Sequence, residues 1–278
     1  MKKLTIALAI AGAFAATGAS AMNLGQYDQG CLVPSAYYDA GSNTVVGLTS
    51  KAATTVYWTF FDVNSKHITD GQFAMTANDE ASFSWAASGG AGTSGMHGYL
   101  VFTSGTAAAA TTGTSDIACN AFQVTANDAA FIPVPNLATA DYAGGTNLTT
   151  MTPTSILTLA GGVPAASTGS HLRYWIDGAA GGRDTAIAVW TANPAKGTYT
   201  VNIYDDAQNR KSVNFVLPND ELNLIDPETI VGRPATYLDG FIDWSGAGYA
   251  GLVGGLLTYS VVADPAFGAT QTLTNPWY

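Results

Sequence analysis

Asn43-Thr44-Val45-Val46-Gly47-Leu48 returns later in the chain as Asp184-Thr185-Ala186-Ile187-Ala188-Val189, and Asn78-Asp79-Glu80 returns unchanged as Asn219-Asp220-Glu221. Between these matches Phe61-Asp62 corresponds to Tyr204-Asp205, and after them Gly98-Tyr99-Leu100 corresponds to Gly240-Phe241-Ile242. Order and spacing agree at a shift of about 141 residues. A period this long marks a duplicated domain, since solenoid units run to some tens of residues.

Within each copy, short runs rich in Val, Ile, Thr, Tyr, Phe and Trp alternate with turn residues, and helical periodicity is scarce. The first copy has runs near 43–49, 55–62, 67–76, 80–86, 97–103 and 117–125. The second has them near 172–176, 184–191, 198–205, 211–217, 221–226, 238–244 and 256–262. Six or seven strands in about 100 residues is the count of an immunoglobulin-like sandwich. The expected fold is therefore all-β: two tandem immunoglobulin-like β-sandwich domains arising from an internal duplication.

Aligning the copies assigns faces. Val56, Trp58 and Phe60 match Tyr199, Val201 and Ile203 and point inward, while Thr55 and Thr59 match Thr198 and Asn202 and point out. Leu100 and Phe102 match Ile242 and Trp244 as inward residues. By the same alternation Tyr57, Phe61 and Tyr99 face out of the first domain. Aromatics placed there stack on sugars or anchor a protein partner, unless another part of the molecule covers them. The turns Asp62-Val63-Asn64-Ser65 and Asp205-Asp206-Ala207-Gln208 each join two strands of a hairpin.

The strand Asp184-Thr185-Ala186-Ile187-Ala188-Val189, followed by the turn at Asn193-Pro194 and the strand ending Ile203-Tyr204, resembles the D-T-x-I-A-V strand of exported bacterial β-sandwich proteins of uncharacterised role. The resemblance implies a secreted sandwich and no catalytic residues.

Lys2 and Lys3, the apolar run 4–16 and the small-x-small triplet Ala19-Ser20-Ala21 read as an export signal over residues 1–21. Residue 22 is Met, not Cys, so a lipid anchor is not indicated. The expected division is a signal peptide at 1–21, a first sandwich at 22–137, a linker with the possible first strand of the next domain at 138–170, and a second sandwich at 171–278. Residues 155–159 are the candidate for that extra strand, and 103–115 reads as a flexible loop. The uncharged stretch 246–263 approaches membrane-spanning length, but its five glycines favour a loop followed by a buried strand. No transmembrane helix is expected, and the location is the periplasm, the cell surface or the medium.

Beyond residue 21 the chain carries 8 basic and 20 acidic residues. That balance disfavours nucleic acid and anionic membrane surfaces, which need clustered Lys and Arg. Cys31 and Cys119 are the two cysteines, both in the first copy, and an exported chain makes a disulfide their default state. It would close a loop of roughly 90 residues, contributing about 4 to 5 kcal/mol in the chain-entropy treatment.

The polar signal is the recurring Asn-Asp at strand boundaries. Asn78, Asp79 and Glu80 with Asn219, Asp220 and Glu221 offer hard oxygen donors, suited either to tight turns or to Ca²⁺. No other cofactor is indicated. His67, His97 and His171 are dispersed and read as surface or strand-edge residues. There is no Gly-x-Ser-x-Gly elbow, P-loop, Rossmann fingerprint or HExxH motif. The expected function is a non-catalytic structural or interaction component of a surface, matrix or filament, acting through protein partners or self-association. The alternatives are a carbohydrate-binding module, with or without calcium, and an outer-membrane β-barrel suggested by the terminal Trp277-Tyr278.

Overall fold

The computed structural model describes residues 26–142, 146–151, 163–179 and 181–278. The export signal and the candidate strand at 155–159 lie outside the described residues. The strands of the first half are β1 (Gly30–Ala36), β2 (Ser42–Ser50), β3 (Thr54–Asp62), β4 (His67–Met75), β5 (Asp79–Ser84), β6 (Gly98–Thr103), β7 (Ile117–Thr125), β8 (Ala129–Ile132) and β9 (Asn136–Leu137). Those of the second are β10 (Gly169–Trp175), β11 (Asp184–Thr191), β12 (Gly197–Asp205), β13 (Arg210–Leu217), β14 (Leu222–Ile225), β15 (Asp239–Ser245), β16 (Leu256–Asp264) and β17 (Ala269–Thr274).

They form four antiparallel sheets, with orders β4-β3-β6-β1-β9, β5-β2-β7-β8, β10-β15-β12-β13 and β14-β11-β16-β17. Adding nine to a strand number from β1 to β8 gives its counterpart in the second half, and the terminal Trp277-Tyr278 segment stands in the place of β9. All four sheets are open, so among the described residues there is no barrel, and the outer-membrane reading of Trp277-Tyr278 is overturned. Those residues instead close an edge: His171 N donates to Pro276 O at 2.8 Å and Tyr278 N donates to Gly169 O at 3.0 Å. In the first half β9 does the same for β1, where Leu32 N donates to Pro135 O at 3.0 Å.

Alternation explains the cores. Val56, Trp58, Phe60, Leu100 and Phe102 from one sheet meet Val46, Leu48, Phe83 and Ala121 from the other. Leu172, Val201, Ile203, Ile242 and Trp244 meet Ile187, Val189 and Leu256 in the second half. Cys31 on β1 and Cys119 on β7 are joined by a disulfide, which ties the two sheets of the first half together. The equivalent positions of the second half hold Ser170 and Thr258, because Cys31 pairs with Phe102 as Ser170 pairs with Trp244, and Leu48 pairs with Cys119 as Val189 pairs with Thr258.

Two local devices recur. A Cβ added to Gly98 would lie 2.0 Å from the Phe61 carbonyl oxygen, and one on Gly240 would lie 1.9 Å from that of Tyr204, so both halves need glycine for the strands to approach. Each hairpin turn is held by its aspartate: Asp62 Oδ1 accepts from Asn64 N at 2.8 Å, and Asp205 Oδ1 accepts from Asn209 N at 2.7 Å. Ser65 and Gln208 sit at φ 59° and 63° in these turns.

The stretch 246–263 forms a short helical turn, Ala247–Ala250, and then β16. No helix among the described residues is long and apolar enough to cross a membrane. Segment 103–115, expected to be a flexible loop, folds back on the sheet: Ala110 is buried and its N–H donates to Thr146 O at 2.7 Å.

Candidate functional site

Three features of the assembled halves carry the functional argument: a seam, a row of rings and a cleft.

The seam is where the outward aromatics of the first half went. Phe61 and Tyr99 do face away from the first core, and both are fully buried. They stack on each other, with centroids 5.0 Å apart at 19°, and Trp190 of the second half meets Tyr99 edge-on at 5.6 Å. Leu32, Val101 and Leu137 from the first half and Leu222 and Leu257 from the second join this cluster, together with Tyr142, Leu148 and Met151 from the segment between the halves. Phe61 and Tyr99 therefore serve an internal contact and offer no free surface; Tyr57 is half-buried. Thr59, expected to face solvent, is buried as well.

Polar groups lock the same seam. Val63 O accepts from the N–H groups of Glu221 and Leu222 at 3.1 and 3.0 Å, and Asn64 Oδ1 accepts from Asp220 N at 3.0 Å. Tyr99 donates to Glu221 Oε2 at 2.8 Å, and Ser65 Oγ is hydrogen-bonded to the Tyr99 hydroxyl. Burial pushes the Glu221 carboxyl up to about 7; the hydrogen bonds of Ser65 and Tyr99 pull it down, and the Asp220 and Asp62 charges push it up further. Tyr99 is raised well above the usual phenol range by burial and then by Glu221.

The two Asn-Asp-Glu triplets turn out not to be equivalent. Thr49 pairs with Glu80, whereas Trp190 pairs with Leu222, so Glu80 occupies the place of Leu222 and Asp79 that of Glu221. Asn78 takes a left-handed turn conformation at φ 57°. Asp79 caps that turn, accepting from Thr76 N and Glu80 N at 2.9 Å each, and these bonds, the Thr76 amide first, hold its carboxyl below the ordinary range. Asn219 is tied to Asn223, with Asn219 N donating to Asn223 Oδ1 at 2.9 Å. Among the described residues no three His, Cys, Asp or Glu side chains converge as metal ligands.

The row of rings lies on the outer face of the second half and was missed in the sequence. Tyr204 on β12 stacks on Phe241 on β15 at 4.7 Å and 11°; Phe241 meets His171 on β10 at 4.7 Å, and His171 meets Tyr278 at 5.0 Å. The signal was present: Tyr204 and Phe241 are the aligned counterparts of Phe61 and Tyr99. The stacked pair turn their faces to each other, so outward they present ring edges.

The cleft, of about 220 Å³, lies between the halves, with Ser35, Gln123 and Phe131 on one wall and Ala186, Leu224 and Tyr259 on the other. His97 stacks on Tyr37 at its rim, 4.1 Å apart at 14°, and burial lowers the histidine's pKa. His67 instead bonds Asp70, Nε2 to Oδ2, at 3.0 Å. The three histidines thus remain apart.

Comparison with protein-family models, with curated proteins and with solved structures gave no match.

Proposed function

We propose that the protein is an exported, non-catalytic structural component of a cell surface, extracellular matrix or filament, built from two duplicated immunoglobulin-like sandwiches. The observation that carries this reading is the seam. Domains strung on a linker move relative to one another by default, and a large apolar interface is what fixes them. Here Phe61, Tyr99, Trp190, Leu222 and Leu257 are all buried in the contact, and the chain becomes one stiff body. Stiffness suits a part that transmits position or force between partners. The Cys31–Cys119 bond supports an oxidising compartment.

The test is cell fractionation with protease shaving of intact cells, combined with peptide mapping under non-reducing conditions. Recovery at the exterior with Cys31 linked to Cys119 supports the reading. Recovery only from the cytoplasm, with both thiols free, would sink it.

A further inference from the structure

The seam joins two particular faces. One is the outer face of β3-β6-β1-β9, bearing Phe61, Tyr99, Leu32 and Leu137; the other is the outer face of β14-β11-β16, bearing Trp190, Leu222 and Leu257. Because the halves share one strand order, each chain carries a second example of both faces. The counterpart of the first is the row of rings: Tyr204 and Phe241 pair as Phe61 and Tyr99 do, His171 takes the place of Leu32, and Tyr278 that of Leu137.

The counterpart of the second lies on β5-β2-β7 of the first half. There Thr49, Glu80 and Ala118 stand where Trp190, Leu222 and Leu257 stand. Replacing a Trp and two Leu with smaller or shorter-reaching groups leaves a hollow of about 320 Å³, lined by Gly47, Thr49, Glu80, Ala81, Ser82 and Asn120. One open face has gained rings where its counterpart has leucines, and the other has lost bulk. On the ring-bearing sheet Arg173 is already ion-paired with Asp239 and the Tyr278 hydroxyl donates to Asp243 at 2.6 Å, so the fit of the two faces is one of shape and not of charge.

We propose that copies of this chain associate head to tail, the Tyr204–Phe241–His171–Tyr278 row of one copy seating on the β5-β2-β7 hollow of the next and repeating the contact between the halves. The inference rests on the structural reading above and names its partner as a second copy. Because the two faces differ, the contact is heterologous and does not close on itself as a twofold dimer does; repeated, it yields an open filament or a ring. The outward ring edges fit a packed protein contact better than sugar stacking, which needs exposed ring faces.

Sedimentation velocity and negative-stain electron microscopy of the full chain across a concentration series test this. The expected result is a ladder of masses in multiples of one chain. Phe241→Glu on one face and Ser82→Arg on the other should each abolish it, with the melting temperature within a few degrees of the parent. Tyr278→Arg, at a half-exposed position, replaces Phe241→Glu if that variant fails to fold. Mixing a ring-face variant with the Ser82→Arg variant should restore a dimer and nothing larger, since only one good face of each kind remains. A ladder indifferent to both substitutions would overturn the face assignment while leaving the structural reading intact. A monomer at several hundred micromolar, or a glycan that binds the row without any association, would overturn the proposal itself.

Discussion

Glu221 Oε2 accepts a hydrogen bond of 2.8 Å from the Tyr99 hydroxyl, across the seam and out of reach of solvent. Its other oxygen, Oε1, is buried with no hydrogen-bond partner among the described residues. A charged carboxylate in that setting opposes folding, and the protonated form does not.

The consequence is a pH dependence of defined sign. Glu221 titrates near 7 in the folded chain against 4.5 for a free glutamate, so the folded state takes up the extra proton. Stability from the neutral carboxyl is complete below pH 4.5 and is lost as pH rises through 7. Glu221→Gln should match the parent at pH 4.5 and exceed it by ~3 kcal/mol at pH 8, the linkage value of such a shift. Urea unfolding of both proteins at the two pH values checks this, and a difference that stays constant with pH would refute it.

The second half lacks a disulfide but keeps its geometry. Ser170 and Thr258 stand at the positions of Cys31 and Cys119, with the same separation of 88 residues. Both are buried; Ser170 Oγ is hydrogen-bonded to Tyr249 OH at 2.7 Å, and Thr258 Oγ1 has no hydrogen-bond partner among the described residues. Ser170→Cys with Thr258→Cys should therefore oxidise in air, with oxygen taking up the two electrons and two protons, give a mass loss of two hydrogen atoms and stabilise by up to about 4 kcal/mol, less any strain. Tyr249 retains Ser167 Oγ at 3.0 Å in the variant. Free thiols in the double variant after air oxidation would show that the two positions do not superpose.

Where one face of a strand is buried and the other is wet, the period-2 pattern could be read directly, as for Val56, Trp58 and Phe60 on β3. The disulfide and the hairpin aspartates were equally legible. β1 was not, because Gly30–Ala36 is covered on both faces, by the core and by the seam, and so shows no alternation. The identical triplets misled for a related reason: a slip of one residue exchanges the two faces of a strand. Glu80 thereby points outward into the hollow, while in the second half Leu222 takes the matching outward position, in the seam, and Glu221 comes one residue before it. Nothing local to Phe61 and Tyr99 announces that Trp190, far along the chain, will cover them.

The hairpin turns make a smaller prediction. Gln208, exposed at φ 63°, pays the steric cost of a left-handed backbone, on the order of 1 kcal/mol for a residue with a Cβ. Gln208→Gly should leave the chain as stable or gain up to about 1 kcal/mol, whereas Gln208→Val, branched at Cβ, should lose about 1 to 2 kcal/mol. Thermal melts of the pair decide; a valine variant as stable as the glycine one would mean the turn is not held in this conformation.

Trp190 tests the stiffness on which the functional reading stands. Its side chain is almost fully buried between the halves and meets Tyr99 edge-on, in a cluster separate from either sandwich core. Trp190→Ala should cost about 3 to 5 kcal/mol through lost burial and the cavity left behind. Because the loss falls on the contact and not on the cores, its form matters as much as its size. Calorimetry of the parent should give a single transition with the halves coupled, and the variant should split into two, the disulfide-bonded first half melting at the higher temperature. Sharp single transitions in both proteins, separated by less than a degree, would show that the seam contributes little and that the halves are held by something else.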